Sequence, residues 1–171
     1  MRHFCDPAQE AHAPLRELHN GDWMDFAESP ARFAAMLDTL GPGEPARDFG
    51  LDPILGVHDP AYVAFLQGAH AKWRAAGREG DAMGYVFPVV GRRALDFDRI
   101  DAKIGAFAMD ASTPIAEHTW DAAYGGAQAA LTALDAVLGG DRAAFALCRP
   151  PGHHCGRDYM GGYCYLNNAA I

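Results

Sequence analysis

The order of elements legible in this sequence predicts an α/β fold built around a mostly parallel sheet. Three observations carry that expectation. Residues 1–5 are short, partly alternating and closed by Asp6-Pro7, which suits a first strand. A long helical pattern opens at Thr119 and ends at Gly139-Gly140. A short apolar strand, residues 145–148, follows that helix directly, and helix, loop and strand in this order are βαβ construction.

A chain of 171 residues, half of them hydrophobic, can bury one substantial core and reads as a single globular domain. The formal net charge of -8, with no compensating basic block, argues against nucleic acid and anionic membrane as partners. Solubility accounts for that charge as well as an affinity for cationic small molecules does. No run of 18 apolar residues and no signal-like N-terminus is present, so the expected location is cytoplasmic. Cys5, Cys148, Cys155 and Cys164 lack CxxC spacing, and reduced thiols are the default there.

Along the chain, residues 7–30 show little periodicity and read as one long irregular segment: a lid, a site wall, a subunit contact or plain surface. Ser29-Pro30 can open a helix, with Phe33, Met36, Leu37 and Leu40 at helical spacing and Gly41-Pro42-Gly43 as its stop. Arg32 sits in its first turn, where a cation gains nothing from the helix dipole, and reads as a solvated charge. Residues 45–57 look extended or turn-like, and Asp59-Pro60 starts a second helix reaching past Trp73. Residues 85–90 are apolar, but Pro88 argues for an edge or irregular lining piece. Asp96, Asp98 and Asp101 among Arg92, Arg93, Arg99 and Lys103 suggest a solvated ion-pair patch, and Asp101 to Met109 read as a short helix or part of the wall of a cleft. Thr119 is the expected cap of the long helix, whose apolar face runs Ala123, Ala127, Leu131, Leu134, Leu138. Gly125-Gly126 inside it costs roughly 1 kcal/mol per residue and implies a closely packed neighbour. Neither nucleotide-binding fingerprint, GxGxxG or GKT, is present.

Chemistry concentrates after residue 145. Arg149-Pro150-Pro151-Gly152 cannot continue a helix or a central strand, so His153 and His154 fall on a shaped loop at a strand's C-terminal end. Open α/β sheets place ligands at such ends. Two imidazoles can exchange protons at neutral pH, so catalysis, metal binding and a surface role all remain open from the residues alone. The flanking cysteines match no ordinary zinc loop. Cys155 beside His154 invites a thiol-nucleophile reading, though sequence neighbours are seldom aimed at each other. Tyr163, after Gly161-Gly162, is either buried aromatic or the wall of a narrow channel.

The run RPPGHHCGRDYMGGYCYLNNAAI resembles the histone deacetylase superfamily, whose signature is RPPGHHA followed by a GFCFFNN-like segment. The early Leu-Arg segment with Asn-Gly nearby, VHDPAYVAFL (residues 57–66) and FPV (residues 87–89) are similar to its bacterial acetylpolyamine amidohydrolase branch. The resemblance implies an arginase/deacetylase-like α/β fold, an open and mainly parallel sheet with helices on both faces, incomplete in this chain. Residues 1–171 would be the N-terminal part of a single deacetylase domain that continues further.

The activity implied is zinc-dependent hydrolysis of the amide in acetylated polyamines, releasing acetate and free amine. The metal ligands, two aspartates and a histidine, and a carbonyl-polarising tyrosine would lie downstream of Ile171, so no metal ligand is assigned here. His154 would be the general base and then protonate the leaving amine, and His153 would donate a hydrogen bond to the water or tetrahedral intermediate. Tyr163 would line the substrate tunnel, and Gly162 would turn its carbonyl toward the substrate amide. Asp101 would hold a substrate N–H or ammonium at the rim, and Arg32 would stand near an internal channel below the metal. The 7–30 segment would narrow the cleft across a homodimer interface. Cys155 departs from the family's usual alanine. Three alternatives stay open: deacetylation of acetyl-lysine peptides or other small amides, an inactive half-domain lacking the metal ligands, and a thiol hydrolase using Cys155 with His154.

Overall fold

The computed structural model describes residues 1–89 and 96–171. Its sheet has three strands, β1 (Arg2–Cys5), β4 (Glu44–Pro45) and β5 (Ala144–Ala146), in the order β4-β1-β5. Both pairings are parallel, with Phe4 opposite Glu44 on one side and Ala146 on the other. The expected parallel α/β construction is therefore present as an open sheet. Parallel strands bring their C-terminal ends to one edge, and there the chain leaving β1 meets the chain leaving β5.

The helices are α1 (Pro30–Leu40), α2 (Asp52–Val57), α3 (Pro60–Ala75), α4 (Ile100–Ala106) and α5 (Thr119–Leu138). Asp59 caps α3 by accepting from Ala61 N–H at 2.8 Å. Its buried face, Tyr62, Val63, Phe65, Leu66 and Ala69, joins Ile104, Ile115, Ala123, Ala127 and Tyr165 in one core. α5 packs on β1 and β5. The two glycines expected to admit a close neighbour do so: a side chain at Gly125 would meet Asp6 Cβ at 2.8 Å, and one at Gly126 would meet Gln9 Nε2 at 3.3 Å. Among the described residues no helix is long and apolar enough to cross a membrane, and all four cysteines are free thiols.

Several local expectations are corrected. Residues 7–30 are not irregular: Pro7–Ala11 form a 3-10 helix, and β2 (Arg16–His19) pairs antiparallel with β3 (Asp22–Asp25). Asn20 and Gly21 turn this hairpin at φ 52° and 91°, as an Asn-Gly pair favours. The signal was hidden because RELH and DWMD do not alternate cleanly in polarity. Within residues 45–57, Asp52–Val57 is helical. Ser29 stands at the N-cap of α1 without a side-chain capping bond, and of the expected apolar face only Phe33 is buried. In α5 the assumed face fails at its C-terminal end, where Leu134 is 51% and Leu138 78% exposed. Gln128 and Thr132 are buried instead, because they bind the loop after β4: Gln128 Oε1 accepts from Phe49 N–H and Thr132 Oγ1 from Arg47 N–H. Thr119 is the first helical residue, not the cap; its hydroxyl accepts from Ala116 N–H at 2.8 Å. Residues 85–89 form no strand, in keeping with the irregular piece that Pro88 predicts, and residue 90 lies outside the described residues. Arg92 and Arg93 lie outside the described residues; among the described ones Asp96 pairs with Lys103, and Asp101 with Arg99 and Arg78.

One buried cation ties these parts together. Arg149, 1% exposed, donates to the carbonyls of Gln9, His12 and Glu28 at 2.6, 2.6 and 2.8 Å. Its Nε also reaches Glu28 Oε1 at 3.2 Å. A buried guanidinium is tolerated when its donors are satisfied in this way, and the result fastens residues 9–28 to the root of the histidine loop.

Candidate active site

The loop after β5 begins where Leu147 still pairs with β1, donating to Phe4 O at 2.8 Å. Gly152 is required by crowding, since a Cβ there would lie 2.5 Å from Leu166 O and 2.6 Å from Asn168 N. Beyond it His153 and His154 are both exposed, their ring centroids 4.2 Å apart and the rings tilted by 48°. The loop is held from behind. His154 N–H points to Cys164 Sγ at 3.4 Å, Cys155 Sγ donates to Gly152 O at 3.2 Å, and Asn167 Nδ2 donates to Cys155 O at 3.2 Å. Buried His58 links the same turn, its Nε2 accepting from Asn167 N–H and its Nδ1 facing Arg157 O. Those partners make Nδ1 the protonated nitrogen, and burial lowers the pKa of the ring.

The segment 161–163 lies directly against His154. Gly162 and Tyr163 are both left-handed, at φ 55° and 67°. A Cβ on Gly162 would stand 2.7 Å from His154 Cδ2, so only glycine lets the backbone approach the imidazole this closely. Gly162 N–H donates to Asp110 Oδ2 at 2.6 Å, and Tyr163 N–H donates to Thr113 Oγ1 at 3.0 Å. The Tyr163 phenol donates to Glu17 Oε1 at 2.8 Å, and its ring meets Phe26 edge-on at 5.3 Å. Partial burial and the Glu17 carboxylate push the phenol up to about 12.

The structure thus brings His153, His154, Gly162 and Tyr163 together. The other two sequence candidates form ion pairs with residues outside this group. Asp101 lies in the first turn of α4, nearly buried, with Arg78 at 2.5 Å and Arg99 at 2.6 Å from its Oδ2. Arg99, with Arg78, holds that carboxyl below its usual range, and its side-chain bonds run to these guanidiniums. Arg32 is largely exposed, 3.6 Å from Glu28. Cys155 is 4% exposed, its thiol donates to Gly152 O and burial pushes it up to about 12, an environment that suits packing and not nucleophilic attack. Glu17, Asp110 and Thr113 escaped the sequence reading. They are remote in sequence and carry no motif.

Among the described residues no group of three or more His, Cys, Asp or Glu is placed to hold a metal ion. The residues present do not by themselves fit a zinc ion. What the arrangement can do is move protons at an exposed imidazole pair beside a backbone ledge and an aromatic wall.

Residues 16–171 match the histone deacetylase domain. Acetylpolyamine amidohydrolase 1 of Pseudomonas aeruginosa is 45% identical over 169 residues, which cover 94% of this chain and 48% of that protein. The acetylpolyamine amidohydrolase of Burkholderia pseudomallei is 42% identical over 177 residues, covering 100% and 51%. A crystal structure of acetylpolyamine aminohydrolase from Burkholderia pseudomallei superposes with a TM-score of 0.88 at 41% identity, covering 99% of this chain and 50% of that one. The HDA15 HD domain superposes with a TM-score of 0.65 at 25% identity. The chain spans about half the length of the curated relatives it matches. By the extent of the domain match and the level of identity, this chain belongs to the histone deacetylase family.

Proposed function

We propose that this chain supplies the proton-transfer and substrate-facing wall of a zinc-dependent amidohydrolase that cleaves acetylated polyamines to acetate and free amine. The observation that carries the reading is the contact of Gly162 with the His154 ring, with Tyr163 braced beside it by Glu17. An amide laid along Gly162 has a base within reach and a flat ring against its methylenes. His154 takes a proton from the attacking water and returns it to the leaving amine. His153 donates a hydrogen bond to the oxygen of the developing tetrahedral centre. Tyr163, near the carboxylates of Glu17 and Asp110, suits a cationic chain.

Zinc, when bound, would polarise the amide carbonyl and acidify the water. Its ligands are not found among the described residues. We further place the enzyme in the cytoplasm as a homodimer, joined through the β2–β3 hairpin. Asp101 acts at the substrate rim only if Arg78 and Arg99 yield its carboxylate, and Arg32 faces the internal channel.

Values of kcat/KM for the zinc-loaded enzyme on N-acetylputrescine and on an acetyl-lysine peptide test the substrate class. The larger value is expected for N-acetylputrescine; a larger value for the peptide would overturn the polyamine assignment in favour of acetyl-lysine.

A further inference from the structure

Two consecutive left-handed residues are unusual, and Tyr163 at φ 67° is the more costly of the pair. Such a conformation persists only where the surroundings over-determine it. Here the surroundings are identifiable. The short turn closes on itself through Gly161 N–H to Cys164 O at 3.1 Å and Cys164 N–H to Gly161 O at 2.9 Å. That leaves the N–H groups of Gly162 and Tyr163 pointing outward, and one segment catches both. Asp110 Oδ2 accepts from Gly162 at 2.6 Å and Thr113 Oγ1 accepts from Tyr163 at 3.0 Å. The other Asp110 oxygen accepts from Ser112 N–H at 3.1 Å, so the carboxylate is held in a fixed plane. Thr113 is 3% exposed. The same segment is moored to the far side of the turn by Met109 N–H to Met160 O at 2.9 Å and Met160 N–H to Phe107 O at 2.8 Å.

We propose that Asp110 and Thr113 are positioning residues of this site, a two-point brace that sets the Gly162 carbonyl and the Tyr163 ring against His154. The inference rests on the proposed deacetylase reading and names residues that reading does not contain. The Gly162 carbonyl and the Tyr163 N–H share one peptide unit, and the Tyr163 ring is carried on the Cα that follows it. A backbone rotation there would turn the carbonyl away from a bound amide and swing the ring off Glu17 together. Both Asp110 oxygens accept from N–H donors, Oδ2 from Gly162 and Oδ1 from Ser112. An asparagine would have to present its NH₂ group to one of them.

The test uses Thr113→Val, Thr113→Ser and Asp110→Asn in the zinc-loaded enzyme, with N-acetylputrescine turnover and thermal midpoints measured together. Valine keeps the shape and loses the acceptor; serine keeps the acceptor. The valine and asparagine variants are expected to lose kcat by up to about 100-fold with KM and the thermal midpoint little changed, while serine stays near wild type. Wild-type kcat in both valine and asparagine variants, or an equal loss in serine, would overturn the brace. Hydrogen exchange at the Gly162 and Tyr163 amides is a second readout, independent of turnover. Exchange slow in wild type and serine, but fast at Tyr163 in valine and at Gly162 in asparagine, supports the brace, and unchanged exchange overturns it. A wild-type enzyme that hydrolyses no acetylated amine counts against the proposed function, and the exchange data alone then decide the brace.

Discussion

Tyr163 and Glu17, 146 residues apart in sequence, are joined by a 2.8 Å hydrogen bond from the phenol to the carboxylate. Glu17 is 3% exposed, and its other oxygen accepts from Ala27 N–H at 3.3 Å. The β2–β3 hairpin is thereby anchored to the aromatic wall of the site at its inner end. Trp23 and Met24 on β3, and Leu15 just before β2, are left uncovered at 61%, 52% and 72% exposure.

Large apolar side chains on a short hairpin of mixed polarity are suited to burial against a second copy. Trp23→Asp in the proposed homodimer should yield a folded monomer by sedimentation velocity, with an unchanged far-ultraviolet spectrum. A variant that still sediments as a dimer would exclude the hairpin as the interface.

His154 is exposed, and the hydrogen bond recorded for it among the described residues runs from its backbone N–H to Cys164 Sγ, so removing its ring should cost the fold little. His154→Ala should cost about 10²- to 10⁴-fold in kcat, with zinc stoichiometry and thermal midpoint retained. Loss of zinc in that variant would make it a ligand and not a base. Cys155→Ala provides the contrast. The thiol is buried and protonated, so turnover should be unchanged, and a loss comparable to that of His154→Ala would revive the thiol hydrolase.

His12 should give the fold a measurable acid limb. Burial, and then the nearby Arg149 charge, lower its pKa from 6.5 to about 3. In that interval the unfolded chain binds a proton that the folded chain refuses, so this contribution is complete above 6.5 and is lost as pH falls toward 3. Glu28 acts in the opposite sense. Burial outweighs Arg149 and Arg32 and raises it from 4.5 to about 7, so its contribution is complete below 4.5 and is lost as pH rises toward 7. Below 4.5 the His12 contribution stands without that opposition. Urea midpoints between pH 3 and 7 should fall less steeply on the acid side in His12→Gln than in wild type. Equal acid dependence in the two proteins would contradict the assignment.

Much of the frame was legible because its causes are local. Asp59-Pro60 caps α3 through a bond spanning two residues, and the glycines of α5 announced a close neighbour that proved to be Asp6 and Gln9. The hairpin was missed although Asn20-Gly21 was visible, since its strands pair polar residues whose partners lie elsewhere. The outer face of α5 was misassigned for a related reason. Gln128 and Thr132 are buried to satisfy backbone groups of residues 47–50, a demand no helical periodicity records.

By itself the sequence determined the parallel α/β order, the loop that presents His153 and His154, and the deacetylase-like identity of residues 149–171. The first two follow from steric rules acting over a few residues, since proline ends a strand and glycine turns the chain; the third rests on the resemblance of the motif run to a known family. Only the tertiary structure decided that Glu17, Asp110 and Thr113 stand around Tyr163 and Gly162, and that Asp101 is claimed by two arginines. Hydrogen bonds across 50 to 146 residues depend on how the sheet and the hairpin bring distant segments together, and no local preference encodes them.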